Sequence, residues 1–79
     1  MTQLQKLYDR IKNNPRNVSF DDLSKLMEFF GFDVKNRASH YTFRHMKLNE
    51  IITVKKEPGQ IKAVYVKHCL AAIEFITKE

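Results

Sequence analysis

The stretch His40-Tyr41-Thr42-Phe43-Arg44-His45 decides the reading of this chain, because polar and aromatic side chains alternate along it with a period of two. Successive side chains of a β-strand point to opposite faces. Tyr41, Phe43 and His45 therefore share one face, and His40, Thr42 and Arg44 share the other. A strand that is aromatic on one side and basic and hydroxyl-bearing on the other belongs to a sheet covered on one face only.

The flanking segments extend that sheet. On the N-terminal side Phe32-Asp33-Val34-Lys35 alternates in the same way, and Asn36 and the residues after it turn the chain. On the C-terminal side Lys47-Leu48-Asn49 reads as a hairpin connection into a third strand over residues 50–55. Its β-branched run Ile51-Ile52-Thr53-Val54 favours extended structure. Ile52 and Val54 are placed inward and Thr53 and Lys55 outward, with the adjacent Ile51 competing for the inward register.

Helices surround these strands. Leu4, Leu7, Tyr8 and Ile11 fall at i, i+3, i+4 and i+7, one apolar stripe over residues 3–13. Asn13-Asn14-Pro15 ends it, since the residue before proline avoids the α region. Ser19 is the N-cap of a second helix, with Asp22 three residues on in a capping-box arrangement that substitutes Asp for the usual Glu. Val18 and Leu23 occupy the hydrophobic-staple positions, and Asp21 and Asp22 suit the positive end of the helix dipole. Leu23, Leu26, Met27 and Phe30 make the buried face, and Gly31 ends the helix as its left-handed residue. Glu57-Pro58-Gly59-Gln60 suits a type II turn. A last helix follows over residues 62–78, with an apolar stripe of Val66, Cys69, Leu70, Ile73 and Ile76. The predicted class is α+β, a three-stranded antiparallel sheet with helices packed on one face, in the order α-α-β-β-β-α within a single domain over residues 1–79.

Composition narrows the function classes. A chain of 79 residues has room for one core. Its single cysteine, Cys69, excludes an internal disulfide framework and any multi-cysteine zinc site, and reads as a small buried hydrophobe. No apolar run approaches the ~18 residues needed to span a bilayer, and the N-terminal residues lack a signal-peptide core, so a soluble cytoplasmic protein with no membrane association is expected. With only Gly31 and Gly59, the chain has no glycine-rich phosphate loop. The net charge is +5, and it is unevenly placed. Residues 1–34 balance five basic against five acidic groups, whereas residues 35–67 carry eight basic groups against Glu50 and Glu57 alone. That asymmetry fits a polyanion-binding surface.

Within eight positions, 37–44, the chain places a hydroxyl, an imidazole and two guanidiniums: Ser39, His40, Arg37 and Arg44. Histidine, with an unperturbed pKa of about 6.5, exchanges protons near neutrality. Guanidinium forks suit phosphate oxygens. His40, outward at the start of a strand, is thus a candidate general acid/base for RNA cleavage, in which the ribose 2′-hydroxyl attacks the adjacent phosphorus. Arg37, Ser39, Arg44, Lys55 and Lys56 are the candidate RNA-binding residues. His45 is expected to cap the core edge and His68 to lie on the surface. The three histidines match no metal-ligand spacing, so neither a metal nor another cofactor is expected. Ser39, Tyr41 and the lysines all remain candidates for a second catalytic group.

The segment Leu-Met-Glu-Phe-Phe-Gly-Phe at residues 26–32, the segment Arg37-Ala38-Ser39-His40-Tyr41-Thr42-Phe43-Arg44-His45, an apolar third strand and a terminal helix around Tyr65-Val66 together resemble the HicA toxins of bacterial type II toxin–antitoxin systems. The likeness covers most of residues 18–76, with about residues 3–14 as an N-terminal helical extension. Membership would imply a fold like that of double-stranded-RNA-binding domains and a metal-independent RNA endonuclease (mRNA interferase), with His40 as the catalytic histidine. The implied partners are messenger RNA and a HicB-type antitoxin that covers His40, the chain being a monomer when free and part of a hetero-oligomer with the antitoxin. Ala38 stands where that family usually has glycine, and Lys55-Lys56 where many relatives have proline and histidine. The residues also fit two other readings: a non-catalytic module of the double-stranded-RNA-binding type, or a protein-interaction module, each using the basic open face.

Overall fold

The computed structural model describes residues 2–56 and 59–78. Helix α1 spans Gln3–Asn13, α2 Phe20–Phe29 and α3 Ala63–Thr77; strands β1 (Asp33–Asn36), β2 (His40–Arg44) and β3 (Ile52–Lys55) lie between α2 and α3. The strands form one antiparallel sheet in the order β1-β2-β3. This is the α+β class and element order that the sequence predicts.

Alternation along β2 sets the two faces. Phe43 is paired with Val34 on one side and Ile52 on the other, and Tyr41 with Val54. Phe43, Ile52 and Val54 are buried against the helices, while Val34 and Tyr41 are half-buried. Ile52 wins the inward place over Ile51, which is 51% exposed, and β3 starts at Ile52 rather than at Glu50. Leu23, Leu26 and Met27 of α2 and Val66, Cys69, Leu70, Ala72, Ile73 and Ile76 of α3 complete one continuous core with Ile11, Val18, Phe32 and Ile61. Phe30 is an exception to the expected buried face. It is the C-cap of α2, half-buried, and meets Tyr8 of α1 edge-on at 6.3 Å.

The caps explain the boundaries. Ser19 Oγ accepts the Asp22 N–H at 3.2 Å, as an N-cap must. The reciprocal half of the expected capping box is absent, because the Asp22 carboxylate accepts from the Arg10 guanidinium at 2.7 Å. Aspartate is one methylene shorter than the glutamate that usually reaches back. The ion pair joins α1 to α2 but is solvent-exposed, so it adds under about 1 kcal/mol. Val18 and Leu23 are both buried, as staple residues should be, and Val18 C=O accepts from Ile61 N–H at 3.0 Å. In the predicted 57–60 turn, Glu57 and Pro58 lie outside the described residues, and Gly59 has φ +84°, the value a type II turn needs at its third position.

Gly31 and His45 close the end of α2 together. Gly31 has φ +90°, and a Cβ there would lie 3.3 Å from His45 Nε2. That Nε2–H donates to Phe30 C=O at 3.1 Å, while Nδ1 accepts from Lys47 N–H at 3.0 Å. These two bonds require the neutral Nε2–H tautomer. The imidazole also packs on Phe32 at 4.8 Å, so His45 caps the core edge as expected. Gly31→Ala should lose about 1–2 kcal/mol through left-handed strain alone. In thermal unfolding this appears as a fall in Tm of about 4–16 °C.

Burial pushes the Cys69 thiol up from 9.0 to about 12. The native thiol should resist iodoacetamide at pH 8 and react once the chain is unfolded in denaturant. Because the folded pKa is the higher one, the stability from the neutral buried thiol is complete below pH 9 and lost as pH rises from 9 towards 12. Unfolding titrations of wild type and Cys69→Ala should converge over that alkaline range.

Candidate nucleic-acid interface

The face of the sheet turned away from the helices is organised in cross-strand rows. Asp33 pairs with Arg44, Lys35 with Thr42, Thr42 with Thr53, and His40 with Lys55. Arg37 continues the β1–β2 ladder, its N–H donating to His40 C=O at 2.8 Å. Three rows result. Arg37, His40 and Lys55 form the first, Lys35, Thr42 and Thr53 the second, and Asp33 with Arg44 the third. Neighbouring strands lie about 4.8 Å apart, so the first row sets an imidazole between a guanidinium and an ammonium.

The ladder brings His40 and Lys55 especially close. Lys56 N–H donates to Ser39 C=O at 3.1 Å, which makes the Ser39–Lys56 pair hydrogen-bonded. By antiparallel alternation His40 and Lys55 are then a non-hydrogen-bonded pair, the kind whose side chains approach most closely. His40 is half-buried and Lys55 exposed.

Ser39 acts on His40 itself. Its hydroxyl lies 3.0 Å from His40 Nδ1, which anchors one ring nitrogen and leaves Nε2 on the far side of the ring. When Ser39 accepts from Nδ1–H, Nε2 holds a lone pair and can act as a base. When imidazolium forms, Nδ1–H still donates to Ser39 and Nε2–H becomes an acid. One contact serves both protonation states.

The expected RNA-binding residues therefore separate into groups. Arg37 and Lys55 flank His40 in its row. Arg44 shares the face but sits four residues along the strand, about 13 Å away, beside Asp33. Ser39 contacts the imidazole. Lys56 leaves the row, because alternation turns it the other way: its Nζ lies 4.9 Å above the Tyr41 ring, whose stacking partner is Phe20 at 3.5 Å. Lys35, outward in the second row, belongs to the basic face and was not among the residues expected there. The alternation of residues 32–35 was the signal that could have found it.

Arg37, Ala38 and Ser39 connect β1 to β2, and none of them has a positive φ. Ala38 therefore carries no left-handed strain. His68 lies on the surface, 3.9 Å from Glu50. Among the described residues no group of three or more metal-ligating side chains comes together, and no helix is long and apolar enough to cross a membrane.

The His40 row lies on the helix-free face of the sheet, with Arg37 and Lys55 exposed and His40 half-buried. Two concavities of about 450 and 430 Å³ lie at the other end of the sheet, around the β2–β3 connection at Leu48, Asn49 and Glu50. A row of exposed basic side chains suits a polyanion. Comparison with known protein families, curated proteins and solved structures finds no match to this chain.

Proposed function

We propose that this chain is an RNA endonuclease, the toxin of a type II toxin–antitoxin pair, which cleaves messenger RNA without a metal through His40. The observation that carries the proposal is the Arg37–His40–Lys55 row with Ser39 on the ring. It sets a proton carrier of fixed orientation between two cations on a face open to a polymer. The resemblance of residues 18–76 to the HicA toxins supports the same reading.

The chemistry follows from these groups. His40 Nε2 takes the proton from the ribose 2′-hydroxyl, and the resulting alkoxide attacks the neighbouring phosphorus. Arg37 offers two parallel N–H bonds to the non-bridging oxygens as negative charge builds on them. Arg44, about 13 Å along the strand, holds a phosphate farther down the chain. A HicB-type antitoxin would silence the protein by covering His40 in the cytoplasm.

The deciding measurement is cleavage of purified RNA in EDTA by wild type beside His40→Ala. Loss of the base should slow cleavage by about 10²–10⁴-fold. Equal cleavage by both proteins, or none by wild type, would sink the enzyme. Tight binding by wild type without scission would leave the double-stranded-RNA-binding type of module. For the binding step, His40→Ala should hold single-stranded RNA with a slope of log K against log salt of about −2, as three phosphate contacts require. A slope near zero would remove Arg37, Arg44 and Lys55 as phosphate ligands.

A further inference from the structure

Cleavage by 2′-hydroxyl attack needs a second proton transfer, to the departing 5′-oxygen, and the sheet geometry discriminates among the groups near His40. Tyr41 is on the opposite face, its ring stacked on Phe20 and covered by Lys56. The Ser39 hydroxyl is engaged at His40 Nδ1. Arg37 shares the row, but a guanidinium keeps its protons at any ordinary pH and serves as a ligand, not a donor. Lys35 is one row farther along and Arg44 two rows. Lys55 is directly opposite His40 in a closely approaching pair, on the same open face and exposed.

We infer that Lys55 is the general acid of the reaction, an assignment that rests on the endonuclease reading above. Base and acid must grip the two apical oxygens of one phosphoryl group, so they stand apart by its width plus two hydrogen bonds of about 2.8 Å. The Cβ atoms of such a cross-strand pair are about 4.5–5.5 Å apart, and the four-carbon stem of lysine carries Nζ across the remaining distance. In the step, the 2′-oxygen forms a bond to phosphorus as its proton passes to His40 Nε2. The bond from phosphorus to the 5′-oxygen breaks as a proton passes to that oxygen from Lys55 Nζ. The products are a 2′,3′-cyclic phosphate and a 5′-hydroxyl end, and solvent returns the proton from His40 to Lys55.

The test compares an ordinary RNA with one whose scissile 5′-oxygen is replaced by sulfur, a leaving group that needs no protonation. Lys55→Ala should slow cleavage of the ordinary RNA by about 10²-fold or more, and of the sulfur-bridged RNA by less than 10-fold. Lys55→Arg, which keeps the charge but not the readily given proton, should behave like Lys55→Ala on the ordinary RNA. Equal slowing on both substrates would make Lys55 a phosphate ligand only, with no part in protonating the leaving oxygen, and overturn the assignment, as would an unchanged rate on the ordinary RNA. If wild type cleaves and His40→Ala does not, a failure at Lys55 leaves the nuclease standing; if wild type cleaves neither RNA, both readings fall. Lys55 is exposed, so matching thermal melts confirm that the variants fold.

Discussion

Burial of Phe43 in the core between the sheet and the helices is the constraint on which the rest of the molecule depends. It is the central inward side chain of the central strand, paired with Val34 and Ile52 and wholly removed from solvent. Once it points inward, strand geometry leaves His40, Thr42 and Arg44 no choice but the opposite face. A slip of one residue along β2 would bury His40, Thr42 and Arg44 and expose the rings of Tyr41 and Phe43. The free energy that holds the core is thus also what presents the basic face.

The ends of β2 are secured differently, and this separates its two histidines. At one end His45 is a structural group, held as the neutral Nε2–H tautomer between Phe30 C=O and Lys47 N–H and pressed against Gly31. At the other, His40 has one ring nitrogen on an exposed hydroxyl and the other directed away from it. The same residue type, five positions apart, is a cap with both ring nitrogens engaged in one place and a ring held through one nitrogen in the other. Lys55 and Lys56 divide in the same way. One joins the open row opposite His40, and the other covers the Tyr41 ring.

Much of this was legible because it rests on local rules. Period-two alternation placed Tyr41, Phe43, Ile52 and Val54 inward and His40 outward. Helical spacing identified the buried stripe of α3, and the requirement for positive φ marked Gly31. What was not legible depends on residues distant in sequence. Phe20 stacking on Tyr41, and Arg10 taking the carboxylate of Asp22, arise where elements meet. Side chains there choose the partner in reach, not the one a local motif suggests. Phe30 left the buried face for the same reason, since it ends α2 and turns towards Tyr8.

The amino-acid sequence by itself determined the α+β class, the order of the elements, the inward and outward faces of β1 and β2, and the concentration of positive charge after residue 34. These follow from backbone periodicity and composition, which need no partner to be read. Only the tertiary structure decided which basic residues stand beside His40. Strand register pairs it with Lys55, the hairpin ladder brings Arg37 alongside, distance sets Arg44 apart, and alternation removes Lys56. Register is fixed when two strands find the same core, a contact between segments separated in the chain, and no local pattern encodes it.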